Sequence, residues 1–290
     1  MRAAVIHEGA LRTEERPDPV PGEGEILIRV RAAGINGADI GQVAGNYPAP
    51  PGAVQDIPGL ECAGETEDGT RVMALLPGGG QAELVTVAAE HVLPVPDSLS
   101  WEEAGGFVET FATAHDALFA QAELQQGERL LVNGAAGGVG TSAVQLGVAI
   151  GADVTGTVRH HAAEVEALGA STTVEGKYDV ILELVGGENL GMNLERLAQK
   201  GRIVVIGVGA GAVQPVNFGY LMRARGRIHG STLRSRSREE KAEVIRRLRD
   251  EVLPLGLAVP VEQTFPLDQA QQAYERFVAG NKFGKIVICP

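Results

Sequence analysis

The chain has 290 residues, 44% hydrophobic and 21% charged, enough to bury a large core and to divide into two domains. Its 25 Lys and Arg against 37 Asp and Glu give a net charge of −12, which argues against nucleic acid as a partner, because a binder needs a basic face to displace counterions. Apolar runs are no longer than strands, the N-terminus turns polar within Met1–Glu8, and Cys62 and Cys289 are far apart. The expectation is a cytoplasmic protein without membrane contact, signal peptide, disulfide framework or cysteine zinc site.

Residues 1 to about 100 alternate short β-type runs with turns: Ile26–Val30, Arg71–Leu75 and Ala82–Val87, with Pro17, Pro19, Pro21, Gly22 and Gly24 in the first gap and a hairpin signal at Asp68-Gly69. This reads as an all-β module. From Leu130 the pattern changes to alternating strand and helix, which builds a parallel sheet covered by helices. Strands are expected at Leu130–Val132, Asp153–Val158, Tyr178–Glu183 and Ile203–Ile206. Helices are expected from Ala162 to a stop at Gly169, and through Leu190, Leu194 and Leu197 to a stop at Gly201. Glu239–Val252 reads as a further helix, with Ala242, Ile245, Leu248 and Val252 on one stripe. Asp268 and Gln271 suggest a capping box, Gly280 a stop, and Lys285–Ile288 a closing strand.

Between the first of these strands and its helix lies Gly134-Ala135-Ala136-Gly137-Gly138-Val139-Gly140. Glycines there let the turn tighten and let backbone amides approach a pyrophosphate, while the helix N-terminus offers unpaired donors and the positive end of its dipole. Strand, glycine turn and helix together predict a dinucleotide site at Ala136, Gly137, Gly138, Val139 and Gly140. The six arginines between Arg223 and Arg238 form the one basic stretch, read as solvated charge or an anion-facing rim.

Several segments, taken in order over nearly the whole chain, resemble the zinc-independent quinone oxidoreductases of the medium-chain dehydrogenase/reductase superfamily. They are Ala32–Asn36 with Asp39, Gly45–Pro48, Pro58–Glu61, Leu75–Gln81, Thr110–Leu118, the glycine turn, Gly230–Ser235 and Phe283–Val287. The resemblance implies an α/β protein with a GroES-like β-barrel catalytic domain, residues 1–112 and 253–290, into which a Rossmann domain, residues 113–252, is inserted as a doubly wound parallel sheet. It further implies an active-site cleft between the domains and a homodimer.

Zinc-dependent cousins carry a Cys in the early loop and a His in a Gly-His-Glu motif, whereas here the loop reads Gly34-Ile35-Asn36-Gly37-Ala38-Asp39 and the motif Gly59-Leu60-Glu61. No metal is expected, since catalytic zinc needs about three N, S or O ligands. Without a Lewis acid, hydride transfer to an electron-poor quinone or enone is the natural direction. By resemblance Tyr47 contacts the substrate oxygen and Asn36 faces the nicotinamide ribose or substrate. A barrel-surface aromatic and a loop-capping Asn are their structural alternatives. Thr113, Gly207 with the mobile loop to Gly211, Thr232, Leu233, Phe283 and Gly284 are likewise placed along the cofactor by resemblance.

The end of the second Rossmann strand reads Thr157-Val158-Arg159-His160-His161, without the Asp or Glu that an NAD site places about 20 residues past the glycine turn. Arg159 can pair with a 2′-phosphate and His160 can add a donor, so the expected cofactor is NADPH. Between Val174 and Tyr178 only three residues remain, too few for a crossover, so a rudimentary third strand without its helix is expected. The reading is a metal-free NADPH-dependent reductase of quinones. The alternatives are an enone or enoyl double-bond reductase and a weakly catalytic NADPH-binding sensor or structural protein.

Overall fold

A computed structural model describes residues 1–290 and divides them into two compact units, Met1–Ala112 with Leu233–Pro290, and Thr113–Thr232. The first unit opens with a hairpin of β1 (Arg2–His7) and β2 (Ala10–Glu15), turned by Glu8 and Gly9, both at positive φ. Next come β3 (Glu25–Gly34), α1 (Gly37–Val43), β4 (Glu61–Glu65), β5 (Arg71–Leu75), β6 (Leu84–Ala88), β7 (Val92–Pro94), α2 (Trp101–Gly105) and α3 (Val108–His115).

The ten-residue β3 organises this unit by pairing with β6 through Glu25–Arg29, with β4 through Arg29–Ala32, and with the closing strand Lys285–Cys289 through Ala33 and Gly34. One strand that changes partners along its length must coil, and its register shift between Val30 and Ala32 supplies the bend. Gly64 permits the crossing, since a Cβ there would lie 2.1 Å from the Arg29 carbonyl oxygen. The enclosed face buries Ile28, Val30, Ala33, Cys62, Val72, Ala74, Val85 and Val87, residues whose period-2 spacing marked the β module in the sequence. The Asp68-Gly69 hairpin forms as expected, with Glu65 opposite Arg71.

The second unit carries β8 (Arg129–Asn133), α4 (Gly138–Ala149), β9 (Asp153–Thr157), α5 (Ala162–Ala167), β10 (Tyr178–Glu183), α6 (Asn189–Glu195), β11 (Leu197–Val205), α7 (Phe218–Ala224) and β12 (Arg227–Gly230). Its strands form one parallel sheet in the order β12-β11-β10-β8-β9. This is the doubly wound order, reversing direction between β8 and β10. The third strand is reduced to one bridge, Thr155 to Ser171, and no helix lies between Val174 and Tyr178. The helix expected through Leu190, Leu194 and Leu197 stops early: it ends at Glu195, and Leu197 begins a strand opposite Tyr178. The helical spacing of the three leucines ran across a helix–strand junction, where β11 bulges before resuming its register at Arg202.

The chain returns to the first unit through α8 (Arg238–Arg247), a π-turn at Leu248–Val252, β13 (Val261–Pro266), α9 (Ala270–Val278) and β14 (Lys285–Cys289). Residues 233–252, assigned to the Rossmann segment in the sequence reading, thus belong to the barrel unit. The physical reason is a set of polar ties: His91 Nε2 to the Arg238 carbonyl at 2.8 Å, Arg249 to the Val92 carbonyl at 3.2 Å, and an Arg238–Glu90 ion pair. Asp268 does not cap α9 either; it lies in a 3₁₀ turn, and Gln271 instead accepts from the Leu11 amide at 2.9 Å. No helix is long and apolar enough to cross a membrane.

Candidate functional site

In the second unit, β8 ends at Asn133 and the chain turns through Gly134 at φ +84° into α4. A Cβ on Gly140 would stand 2.3 Å from the Gly134 carbonyl oxygen, so the turn closes only with glycine there. Gly137 precedes the helix without a side-chain cap, which leaves the first-turn amides of Gly138, Val139 and Gly140 without intrahelical acceptors. The twelve-residue helix therefore presents uncapped amides and the positive end of its dipole at the glycine turn.

Where the strand order reverses lies a buried polar network absent from the sequence reading. Glu183 accepts from Asn133 Nδ2 at 2.8 Å, Asn193 Nδ2 at 2.7 Å, and the amides of Val185 and Gly186 at 2.7 Å each. Thr157 donates to Asn133 Oδ1 at 3.1 Å and accepts from the Gly134 amide at 3.2 Å, coupling the ends of β8 and β9 to the glycine turn. The network holds the rim of the turn rigid from beneath.

Arg159 and His160 follow β9 as exposed residues, and neither makes a hydrogen bond or ion pair. His161, by contrast, sits at φ +69° and pairs with Glu164 at 2.9 Å. The loop at Gly207–Gly211, expected to be mobile, is fastened by backbone bonds: Gly207 to the Glu183 carbonyl at 3.1 Å, Ala210 to Val185 at 2.8 Å and Gly187 to Gly211 at 2.8 Å. Thr113 is buried on α3 and Thr232 is exposed after β12.

The first unit holds a second polar centre. Lys285, leading β14, donates from Nζ to Glu61 Oε1 at 2.6 Å, Asn36 Oδ1 at 2.7 Å and the Ile35 carbonyl at 2.8 Å. Asn36 Nδ2 donates to the same Glu61 oxygen at 2.9 Å, and Glu61 Oε2 accepts the Glu109 amide at 2.9 Å. Asp39 receives the amides of Asn36 at 2.8 Å and Gly59 at 2.9 Å. Burial pushes its carboxyl up to about 6, against the pull of those donors and of the Lys285 and Arg234 charges. Asn36 is thus locked through both side-chain polar atoms. Gly284, at φ +80°, admits no Cβ because the Pro260 carbonyl oxygen would lie 2.0 Å away; this tight approach aims Lys285 inward. Phe283, beside it, donates its amide to Glu262 at 3.2 Å.

Tyr47 is 36% exposed, and burial raises its phenol above the ordinary value while the Arg234 charge opposes the rise. Arg234 itself is 5% exposed, contrary to the reading of its arginine-rich stretch as solvated charge. Its guanidinium donates to the Pro77 carbonyl at 2.9 Å, the Tyr47 carbonyl at 3.2 Å and Gln42 Oε1 at 2.5 Å, and lies 5.5 Å from the Tyr47 ring centre. Leu233, next to it, is buried.

The structure therefore joins Asn36 to a cluster with Glu61, Asp39 and Lys285, and Tyr47 to Arg234, within one unit. The sequence reading missed the roles of Glu61, Lys285 and Glu183. Each is a charged residue at a strand end, where solvation is the ordinary expectation; only their positions inside otherwise apolar runs hinted at burial. No group of three His, Cys, Asp or Glu side chains is arranged to hold a metal ion.

Residues 22–97 match the alcohol dehydrogenase GroES-like domain and residues 150–288 a zinc-binding dehydrogenase domain. The chain is 30% identical over 302 residues to the quinone oxidoreductase of Mus musculus, across 93% of this chain and 90% of that protein. It is also 30% identical over 303 residues to that of Pseudomonas aeruginosa, across 93% and 92%. Among solved structures, the quinone oxidoreductase of Thermus thermophilus, known also in complex with NADPH, is 34% identical over all of both chains with a TM-score of 0.88. A mycobacterial protein complexed with NADPH is 27% identical over all of both chains with a TM-score of 0.87.

Proposed function

The chain belongs to the zinc-independent quinone oxidoreductases of the medium-chain dehydrogenase/reductase superfamily, and from that footing we propose that it is an NADPH-dependent reductase of quinones. The observation that carries the cofactor assignment is the open first turn of α4 on its glycine cradle, with Arg159 exposed and unpartnered beyond the next strand. The amides of Gly138, Val139 and Gly140 would hold the pyrophosphate, and Arg159 with His160 the 2′-phosphate. Ala136, Thr113, Gly207, Thr232, Leu233, Phe283 and Gly284 would complete the cofactor contacts.

Bound NADPH supplies a hydride, that is, two electrons and one proton. The protein's contribution is placement, together with a proton for the substrate oxygen. Tyr47, half-exposed and held by Arg234, would donate that proton from its hydroxyl and be restored by water. Asn36, fixed by Lys285 and Glu61, would orient the substrate or the nicotinamide ribose.

The homodimer forms through the sheet edge of the second unit. All four residues of β12, Arg227–Gly230, are exposed on the outermost strand, and Phe218 and Met222 of α7 are 60% and 76% exposed. An edge strand with one side open, in a unit that also exposes apolar side chains on the preceding helix, is a template for a second copy. The unpaired thiols Cys62 and Cys289 suit a reducing, cytoplasmic setting.

The decisive assay is NADPH consumption across quinones, enones and aldehydes. Faster turnover of quinones is expected. A preference for enones would reassign the acceptor, and no consumption with any acceptor would reduce the protein to a cofactor binder.

A further inference from the structure

A buried arginine whose bonded acceptors are all neutral calls for an explanation. Arg234 gives its hydrogen bonds to two carbonyls and the Gln42 amide, and burial lowers its affinity for the proton. Desolvating a guanidinium without bonding it to a carboxylate is costly unless the charge serves something nearby. Structural ties alone would be met more cheaply by a neutral donor. What faces the charge is Tyr47: the ring centre lies 5.5 Å from the guanidinium carbon, and the Tyr47 carbonyl is one of its three acceptors. Arg234 thus grips the tyrosine by its backbone, the Pro77–Gly79 loop by the Pro77 carbonyl, and α1 by Gln42. Asp39, Glu109 and Tyr274 also feel the guanidinium charge, and Lys241 adds a second buried cation in range.

We propose that Arg234 is a positioning residue for Tyr47: it fixes the tyrosine against the Pro77–Gly79 loop, and its permanent charge stabilises the phenolate left when Tyr47 gives its proton to the acceptor oxygen. The proposal rests on the reading of Tyr47 as proton donor. The Tyr47 O–H bond breaks, an O–H bond forms on the acceptor already reduced by the dihydronicotinamide's hydride, and the phenolate recovers its proton from water. In a site where no metal-ligand set can steady an oxyanion, a guanidinium fixed in advance performs that electrostatic task with little reorganisation. A guanidinium suits it because it remains charged when buried and its planar fork serves several acceptors at once.

The test compares Arg234→Gln and Arg234→Lys, each alone and in a Tyr47→Phe background, by quinone kcat and KM, the solvent deuterium isotope effect on kcat, and NADPH affinity. Arg234→Gln is expected to lower kcat about tenfold with KM and NADPH affinity nearly unchanged, and to raise the isotope effect, because proton transfer becomes slower. Arg234→Lys, which retains the charge, recovers most of the loss. In the Tyr47→Phe background Arg234→Gln should cost nothing further, since the group it serves is gone.

Equal losses for Gln and Lys, or the same loss with and without the Tyr47 hydroxyl, would overturn the proposal. Should Tyr47→Phe alone leave kcat and its isotope effect unchanged, the reading of Tyr47 fails first and the role of Arg234 falls with it. A drop on Tyr47→Phe with no response to Arg234→Gln would defeat the Arg234 role alone. If Arg234→Gln does not fold, Arg234→Lys with Gln42→Leu loosens the grip while keeping the charge; kcat within threefold of the parent supports the electrostatic role, and a tenfold loss opposes it.

Discussion

Lys285 Nζ and Glu61 Oε1 stand 2.6 Å apart with side chains only 2% and 0% exposed, an ion pair that joins the closing strand of the chain to the fourth strand of the barrel. Asn36 is bonded to both partners, so the pair fixes a proposed site residue as well as the fold. Removing one partner leaves the other charge buried and unpaired, which costs about 3–5 kcal/mol. Lys285→Met should therefore lower unfolding stability by roughly that amount in urea titration, whereas Lys285→Met with Glu61→Gln should recover part of the loss. A double variant as unstable as the sum of the singles would show that the two residues act independently.

Arg159→Ala should remove most of the discrimination between NADPH and NADH. Charge-assisted hydrogen bonds contribute about 1.5–3 kcal/mol each, so NADPH affinity should fall roughly 10- to 100-fold while NADH affinity stays level. Calorimetric titration of both nucleotides checks this, and equal affinities in the parent protein would refute it.

Gly140→Ala should abolish cofactor binding without unfolding the barrel unit. Its methyl would meet the Gly134 carbonyl oxygen at 2.3 Å, so either the turn opens or α4 shifts. A variant that binds NADPH as tightly as the parent would show that the pyrophosphate does not rest on this turn.

Asp39 should titrate near pH 6, where ordinary carboxylates are already ionised, because its burial outweighs the donors around it. A carboxyl raised in the folded state binds its proton more tightly there than in the unfolded chain. Its contribution to stability is thus complete below about pH 4 and lost as pH rises through 6, about 3 kcal/mol in all. Carbon NMR of the side chain gives the midpoint, and Asp39→Asn should remove this part of the slope of stability against pH. A midpoint below 4 would contradict the assignment.

Many of the strands and helices, and the strand–glycine turn–helix at Gly134, were legible from residue order, whereas the β1–β2 hairpin, α1 and α7 were not. Period-2 runs in the barrel, alternating strand and helix in the second unit, and the heptapeptide at Gly134 are local patterns, because backbone geometry and the side-chain period are set by near neighbours. The missing crossover between Val174 and Tyr178 was legible for the same reason: chain length limits reach. What the charged residues do was settled only when the chain closed on itself. Lys285 meets Glu61 and Asn36 across 224 and 249 positions, and Arg234 meets Gln42 across 192, separations over which no local spacing carries information. Leu197 shows the converse, a residue whose helical spacing was real but whose strand partner Tyr178 prevailed. Burial of a charge depends on which distant groups arrive to satisfy it, and only the closed fold brings them.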